Sequence, residues 1–451
     1  MFRPLLSSFR VKTPKARLVG AFSNSTLNNM TADVSTQAAA SSGTAPSMGQ
    51  LKTTTSAPTT ARSEREIAER VQQRVLERDS WLVEGEPQEK HSHAKDMSLF
   101  IGTVLPKYVK MEIPSPAWLD QHFPVLPMDW KRLQQQRPAS PSSSSPIQMT
   151  WLGHASVLIQ VNGCTILTDP VFSQRCAPTQ FAGPKRIRPP PCSIAELCGH
   201  IQVDLVLISH NHYDHLDYNT LRDFYKHSPT TPFVVPLGLR VWMHNNISKQ
   251  AVVHEMDWHE HVDITYNYGS SAAADAAASS SQAECVRIIS VPVHHWSSRI
   301  GADRDKTLWC GYSIVTQPSP SSLEQRQPQK PRKILFPGDT AWFDGLDELV
   351  GQAYGPFDVA AIPIGAYEPR EFMKRNHINV DEAVRMKDAV QARHAVPIHW
   401  GTFPLTVEPI LEPAERLEEL MQQKQEDHGN DVNNGDGSFE AWKIGETKAF
   451  M

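Results

Sequence analysis

The sequence predicts an α/β protein built as a layered sandwich, and three observations predict it. Short apolar runs bounded by turn residues recur: MTWLGHASVLIQV, CTILTDPVF, VDLVLIS, PFVVPLG, VRIISVPV, CGYSIV, KILFPGD, FDVAAIPIG and AVPIHW. These read as strands. Helical stretches such as Asp381–Gln391 are mixed among them. The strand-rich halves place helices to the outside, which favours stacked layers over one doubly wound sheet.

Taken in order, residues 1–32 carry Arg3, Arg10, Lys12, Lys15 and Arg17 without one acidic side chain. That composition is shared by mitochondrial transit peptides and by disordered basic tails. Residues 33–62 are mostly Ser, Thr, Ala, Gly and Pro, too poor in large apolar groups to offset their ordering entropy, so 1–62 is expected to be a tail. SEREIAERVQQRVLERD, Ser63–Asp79, reads as a helix capped by Ser63 and Glu66, with Ile67, Val71, Val75 and Leu76 on one face. The run PASPSSSSP, Pro138–Pro146, closes this N-terminal segment (63–146), and the catalytic domain is expected over 147–451. Low-complexity stretches at 270–281 and 317–332 interrupt it as surface loops.

Composition narrows the function. The chain has 451 residues, of which 40% are hydrophobic, enough for a sizeable core. A formal net charge of −5 gives no global basic field, which argues against nucleic acid as a partner. The six cysteines contain no C-x-x-C pair, so neither a disulfide framework nor a structural zinc knuckle is indicated. No apolar run reaches the roughly 18–20 residues of a spanning helix.

The chemistry collects in ISHNHYDHLD, Ile208–Asp217. Side chains two apart on an extended segment point the same way, so His210 and His212 can close on one metal ion. Asp214 and His215, past the bend, aim at a second position. Imidazole and carboxylate without thiolate suit zinc, iron or manganese. Completing ligands follow other apolar runs: His294 and His295 after VRIISVPV, Asp339 after KILFPG, and His399 after AVPI. A carboxylate such as Asp339 can bridge two ions. His154 in WLGHASVL and Asp169 in LTDPVF are read as groups that orient ligands. Lys185, Arg186 and Arg188 form a basic run that either binds phosphate or stays solvated.

H-x-H-x-D-H with a later His, a GD aspartate and a final His resembles the metallo-β-lactamase superfamily of dinuclear hydrolases. WLGHASVLI, LTDPVFS, GPKRIRPPPC, LISHNHYDHLDYNTL, PFVVPLG, GDTAWF, GPFDVAAIPIGAYEPREFMKRNHINVDEAV and PIHWGTFPL resemble, more specifically, the N-acyl-phosphatidylethanolamine-hydrolysing phospholipase D family. The likeness covers nearly all of Trp151–Leu405. It implies a four-layer αββα sandwich with two Zn2+ ions. His210, His212 and His295 would hold one ion, with Asp214, His215 and His399 on the other and Asp339 bridging; His294 is the neighbour that competes with His295. Gln180 and Phe181 fall on the family's substrate-contacting pair, with Phe181 where the animal enzymes carry tyrosine. His377 falls on an outer-shell or catalytic position and is the candidate proton donor.

The implied reaction hydrolyses N-acyl-phosphatidylethanolamine to N-acylethanolamine and phosphatidic acid by a metal-bridged hydroxide. Such a substrate requires peripheral association with a membrane surface, for which Val235–Asn245 (VPLGLRVWMHN) is one candidate patch and a core helix its ordinary reading. The resemblance further implies a homodimer, and the basic N-terminus a mitochondrial location, with a cytoplasmic membrane surface as the alternative. The competing readings are a hydrolase of the same fold acting on a soluble lactone or phosphodiester metabolite, and a lipid-binding protein with a vestigial site.

Overall fold

The computed structural model describes residues 52–55, 62–81, 83, 112–135, 146–267, 283–318, 330–427 and 437–451. Of the expected 1–62 tail only 52–55 and 62 are among them, and Lys52–Thr55 is a strand paired with Val262–Thr265 rather than tail; the 270–281 insertion lies outside the described residues, as does 319–329 of the second insertion.

Alternation along the apolar runs sets the layers. One sheet contains β1 (Lys52–Thr55), β8 (His261–Asn267), β9 (Ala283–Val291), β10 (Gly311–Pro318), β11 (Lys333–Phe336), β12 (Phe357–Pro363) and β13 (Ala392–Ile398), adjacent in that order. The other runs β14 (Thr447–Phe450), β2 (Ile147–Gly153), β3 (Ser156–Val161), β4 (Cys164–Thr168), β5 (Leu205–Leu207), β6 (Phe233–Pro236) and β7 (Val253–Met256). Both sheets are mixed: β4 to β7 run parallel, as do β11 to β13, and the remaining pairs are antiparallel.

Val157, Ile159, Ile166, Leu205 and Leu207 pack inward with Val262, Ile288, Tyr312 and Ile314 of the other sheet. Their neighbours Leu158, Leu167, Val206 and Phe233 join a second apolar cluster with the helices outside. Side chains of period two therefore bury both faces of one strand, as an internal sheet layer requires.

The helices are α1 (Glu64–Ser80), α2 (Pro116–His122), α3 (Trp130–Gln135), α4 (Ile194–His200), α5 (Tyr218–His227), α6 (Leu239–Asn246), α7 (Arg370–Met373), α8 (Val380–Ala389) and α9 (Glu412–Asp427). A π-helical segment, Asp347–Gln352, precedes β12. Leu197, Leu221, Phe224, Leu239 and Met243 carry α4 to α6 onto the second sheet, while α8 packs on β12 and β13. The arrangement is the expected αββα sandwich.

Four expectations change. MTWLGHASVLIQV is a hairpin and not one strand, because Gly153 (φ 104°) and His154 (φ 53°) take left-handed conformations that turn the chain. Leu76 is not on the buried face of α1: it is 62% exposed, whereas Val71, Val75 and Arg78 are buried. Val235–Asn245 is mainly a core segment, with Leu239 and Met243 buried, and only Val241 (48% exposed) and its neighbours reach the surface. The sandwich also does not begin at 147, because β1 and α1 belong to the same compact unit, Ser47–Met451. Among the described residues no helix is long and apolar enough to cross a membrane.

Candidate metal centre

Every candidate ligand leaves the carboxyl end of a strand at one edge of the sandwich: His210 to His215 after β5, His295 after β9, Asp339 after β11 and His399 after β13. His154 turns between β2 and β3, and Asp169 follows β4. Strand ends suit this task because the sheet fixes the backbone while the departing loop is free to aim side chains. The turns are forced: His154, Asp169 and His399 all have positive φ, at 53°, 32° and 64°. Such conformations cost about 1–3 kcal/mol each and persist where surrounding contacts impose them. Here the contact is a backbone bond from His399 N to the His154 carbonyl, 3.0 Å.

The ligand-type atoms converge as two groups around one carboxylate. In the first, His212 Nδ1 lies 2.8 Å from His210 Nε2 and 3.2 Å from His295 Nε2. In the second, Asp214 Oδ2 lies 3.6 Å from His215 Nε2 and 3.4 Å from His399 Nε2. Asp339 Oδ2 sits between them, 3.1 Å from both His215 and His399 and 3.8 Å from both His210 and His295. The structure thus brings together all seven residues expected as ligands: His210, His212, Asp214, His215, His295, Asp339 and His399.

These residues fit metal ions on their own chemistry. His215 Nε2, His399 Nε2 and Asp339 Oδ1 face the cluster buried with no hydrogen-bond partner, which is costly unless a cation is held there. Burial pushes His210 and His295 well below the usual imidazole range and His212 to about 4, so they are neutral and able to ligate. Burial opposes ionisation of Asp214 and Asp339, but the surrounding histidines outweigh it and hold both well below the usual carboxylate range.

His215 and His399 behave differently. Burial lowers them, but Asp339 and Asp214 outweigh it, raising His399 to about 9 and His215 well above its ordinary value. In metal-free protein they carry protons where cations belong. A raised pKa means the proton is present at pH 7.5 and lost only as pH climbs past that value, so metal must displace it. Loading chelator-treated protein at pH 7.5 is expected to release roughly two protons per chain, read with an indicator dye. Release should shrink above pH 9, and metal affinity should fall as the solution is acidified; loading with no release would refute these protonation states.

Outer groups fix the rings. His295 Nδ1 donates to the Asn376 carbonyl (2.9 Å), His210 Nδ1 to Ser209 Oγ (2.9 Å) and His215 Nδ1 to Asp169 Oδ2 (2.7 Å). Each bond leaves Nε2 facing the site. Asp169 is fully buried and also accepts from Ser209 N, 2.7 Å. His154 Nε2 lies 3.0 Å from Asp214 Oδ2, so both residues read from the sequence as orienting groups occupy such positions. Asp169→Asn should lower metal affinity about 10- to 100-fold with the fold intact, measured by competition with a colorimetric chelator.

The remaining site expectations divide. His295, and not His294, enters the cluster; the His294 ring lies 6.3 Å from Trp81 and 6.1 Å from Phe343, on the far side of the chain. His377 reaches the centre, with Nδ1 3.9 Å from Asp339 Oδ2, but burial lowers it to about 3. In the metal-free protein it is therefore a neutral imidazole near pH 7. Gln180 and Phe181 are not among the clustered residues: the Gln180 amide bonds the backbone of Arg175, and Phe181 is 84% exposed. Arg186 and Arg188 do not make an open phosphate patch. Arg186 donates to the Val171 and Ser173 carbonyls and stacks over Phe403, and Arg188 pairs with Asp120.

Comparison with known proteins adds the family. Residues 164–400 match the model of the Beta-lactamase superfamily domain. The chain is 38% identical over 288 residues to "N-acyl-phosphatidylethanolamine-hydrolyzing phospholipase D 1" of Caenorhabditis elegans, covering 63% of this chain and 72% of that protein. It belongs to the N-acyl-phosphatidylethanolamine-hydrolysing phospholipase D family. Another relative bearing the family's name, "N-acyl-phosphatidylethanolamine-hydrolyzing phospholipase D, mitochondrial" of Saccharomyces cerevisiae, is 30% identical over 75% of this chain and 65% of its own length. Among solved structures, Igni18, a metallo hydrolase from Ignicoccus hospitalis, covers 68% of this chain and 99% of its own at 18% identity and a TM-score of 0.43. Family and side-chain clusters together make this phospholipase D relative a metal-binding hydrolase of the metallo-β-lactamase fold.

Proposed function

We propose that the protein hydrolyses the phosphodiester of N-acyl-phosphatidylethanolamine at a two-zinc centre, releasing N-acylethanolamine and phosphatidic acid. The observation that carries the reading is the shared carboxylate: Asp339 Oδ2 lies 3.1–3.8 Å from ligand nitrogens of both groups, the place a bridging ligand must occupy. His210, His212 and His295 would hold one ion, and Asp214, His215 and His399 the other. Zinc pairs of this kind, when bound, supply the charge that lowers the pKa of an attacking water and neutralises phosphoryl oxygens.

The chain's own groups do the rest. Water oxygen joins phosphorus, the bond from phosphorus to the ethanolamine oxygen breaks, and that oxygen takes up a proton. The ionised carboxylates and the neutral His210, His212 and His295 stand ready as donors, while His215 and His399 would give up their protons as the ions bind. His377, neutral beside Asp339, is placed to accept a hydrogen bond or to orient the carboxylate. Exposed Phe181 offers an apolar contact to lipid where the family's substrate-contacting residue falls.

A lipid substrate implies peripheral docking on a membrane, and the acid-free basic N-terminus, together with the yeast relative's mitochondrial name, supports a mitochondrial location. A homodimer belongs to the same reading through the family resemblance. Purified protein is expected to contain about two zinc ions per chain by mass spectrometry. It should release N-acylethanolamine from vesicles holding the N-acylated lipid, and a chelator should stop the release. Metal without lipid turnover, but with turnover of a soluble phosphodiester or lactone, would move the substrate to the soluble class.

A further inference from the structure

The N-terminal helix reaches the metal centre from outside the matched domain. Arg62, Arg70, Arg74 and Arg78 fall at multiples of four residues, hence along one side of the helix and its N-terminal approach. Each meets an acid of the sandwich: Arg62 meets Glu260, Arg70 and Arg74 meet Asp257, and Arg78 meets Asp305. Arg74 stacks over Trp258 and Arg78 over Trp309, with guanidinium carbons 5.5 and 4.8 Å from the ring centres. Trp81, capping the helix, stacks on Trp258 at 5.3 Å and Phe343 at 4.6 Å.

Arg78 carries the consequence. It is 7% exposed, and its Nη1 donates to the carbonyl of His295 at 2.9 Å. The same nitrogen lies 3.3 Å from Asp305 Oδ2, while the other oxygen of Asp305 accepts from Ser297 N at 3.2 Å. One guanidinium therefore ties the backbone of a ligand to the loop that follows it. From the far side His295 Nδ1 is held by the Asn376 carbonyl. The ring's direction is thus set by two bonds, one to its own backbone and one to its outer nitrogen. Both partners lie far from it in sequence.

We propose that Arg78 is a positioning residue for the metal half-site of His210, His212 and His295, making that half-site depend on a helix upstream of residues 164–400. The proposal rests on reading those three histidines as one half-site. Without Arg78 the His295 carbonyl loses its buried donor and the 295–305 loop loses its tie to α1, so His295 is free to swing and the half-site weakens. The half-site of Asp214, His215 and His399 has no contact with Arg78 among the described residues and should keep its ion.

The test is a zinc titration of full-length, chelator-treated protein against a colorimetric chelator, with circular dichroism reporting the fold. Wild type should bind two ions. Arg78→Met should bind one as wild type does and the second about tenfold or more weakly. Arg78→Lys, which restores a donor but not the fork, should recover part of that loss. Two wild-type affinities in folded Arg78→Met would overturn the proposal. If Arg78→Met does not fold, Asp305→Asn decides: a selective loss at one ion supports the tie, and unchanged binding of both overturns it. Wild type that binds no metal would instead defeat the half-site reading itself.

Discussion

Asp339→Asn is expected to lower turnover about a thousandfold or more and to leave at most one firmly held metal ion per chain, with the fold preserved. The amide is nearly isosteric, so packing does not change. What changes is charge at the one oxygen lying 3.1 Å from His215 and His399 and 3.8 Å from His210 and His295. A neutral amide cannot balance two cations at once, and its nitrogen points donor protons at them. In metal-free protein the substitution also removes a principal group that holds His215 and His399 protonated, so their pKa values should drop. Metal content and N-acylethanolamine release, measured on one preparation, check both halves. Full turnover with two metals would reject Asp339 as the bridge.

Gly338→Ala, one residue earlier, should be nearly as damaging for a different reason. Gly338 has φ 63°, and a Cβ built there would stand 2.6 Å from Ser209 Cβ and 2.8 Å from its Oγ. Ser209 cannot yield cheaply, because it accepts from His210 Nδ1 and donates to Asp169, which in turn orients His215. The left-handed strain and the overlap together are expected to cost about 2–4 kcal/mol of stability, seen as a lower urea midpoint. Whatever relaxation allows folding shifts Asp339 against His210, and displacement on the ångström scale costs about a hundredfold in turnover. Wild-type stability and activity together would mean that the loop has slack the packing does not reveal.

Much of the site was legible because its chemistry is local. His210 to His215 lie in one hexapeptide, and their types alone announce a metal. The distant ligands were legible by position, since His295, Asp339 and His399 each follow an apolar run, and strand ends meet at one edge of a sheet. The groups that hold them were harder to see. Asp169 and His154 had a signal in their turns, but Ser209 and the Asn376 carbonyl had none, being ordinary polar groups until the fold sets them beside a histidine. The four-residue spacing of arginines in α1 was visible in the sequence; read as an apolar stripe, the same helix placed Leu76 inward and missed Arg78. Arginine stems bury well over aromatic rings, so a buried charged face is invisible to hydrophobic periodicity.

By itself the sequence determined the layered α/β class and the imidazole and carboxylate chemistry of the ligands, because period and side-chain type are properties of the chain. Only the tertiary structure decided that His295 enters the centre while His294 turns toward Trp81, and that Asp339 stands between both groups. It alone showed that Arg186 and Arg188 are tied to the protein's own backbone and acids, and that a helix outside the matched domain grips the loop of a ligand. These are matters of which distant residues become neighbours. That is set by how two sheets stack and where their strands end, and no local pattern encodes it.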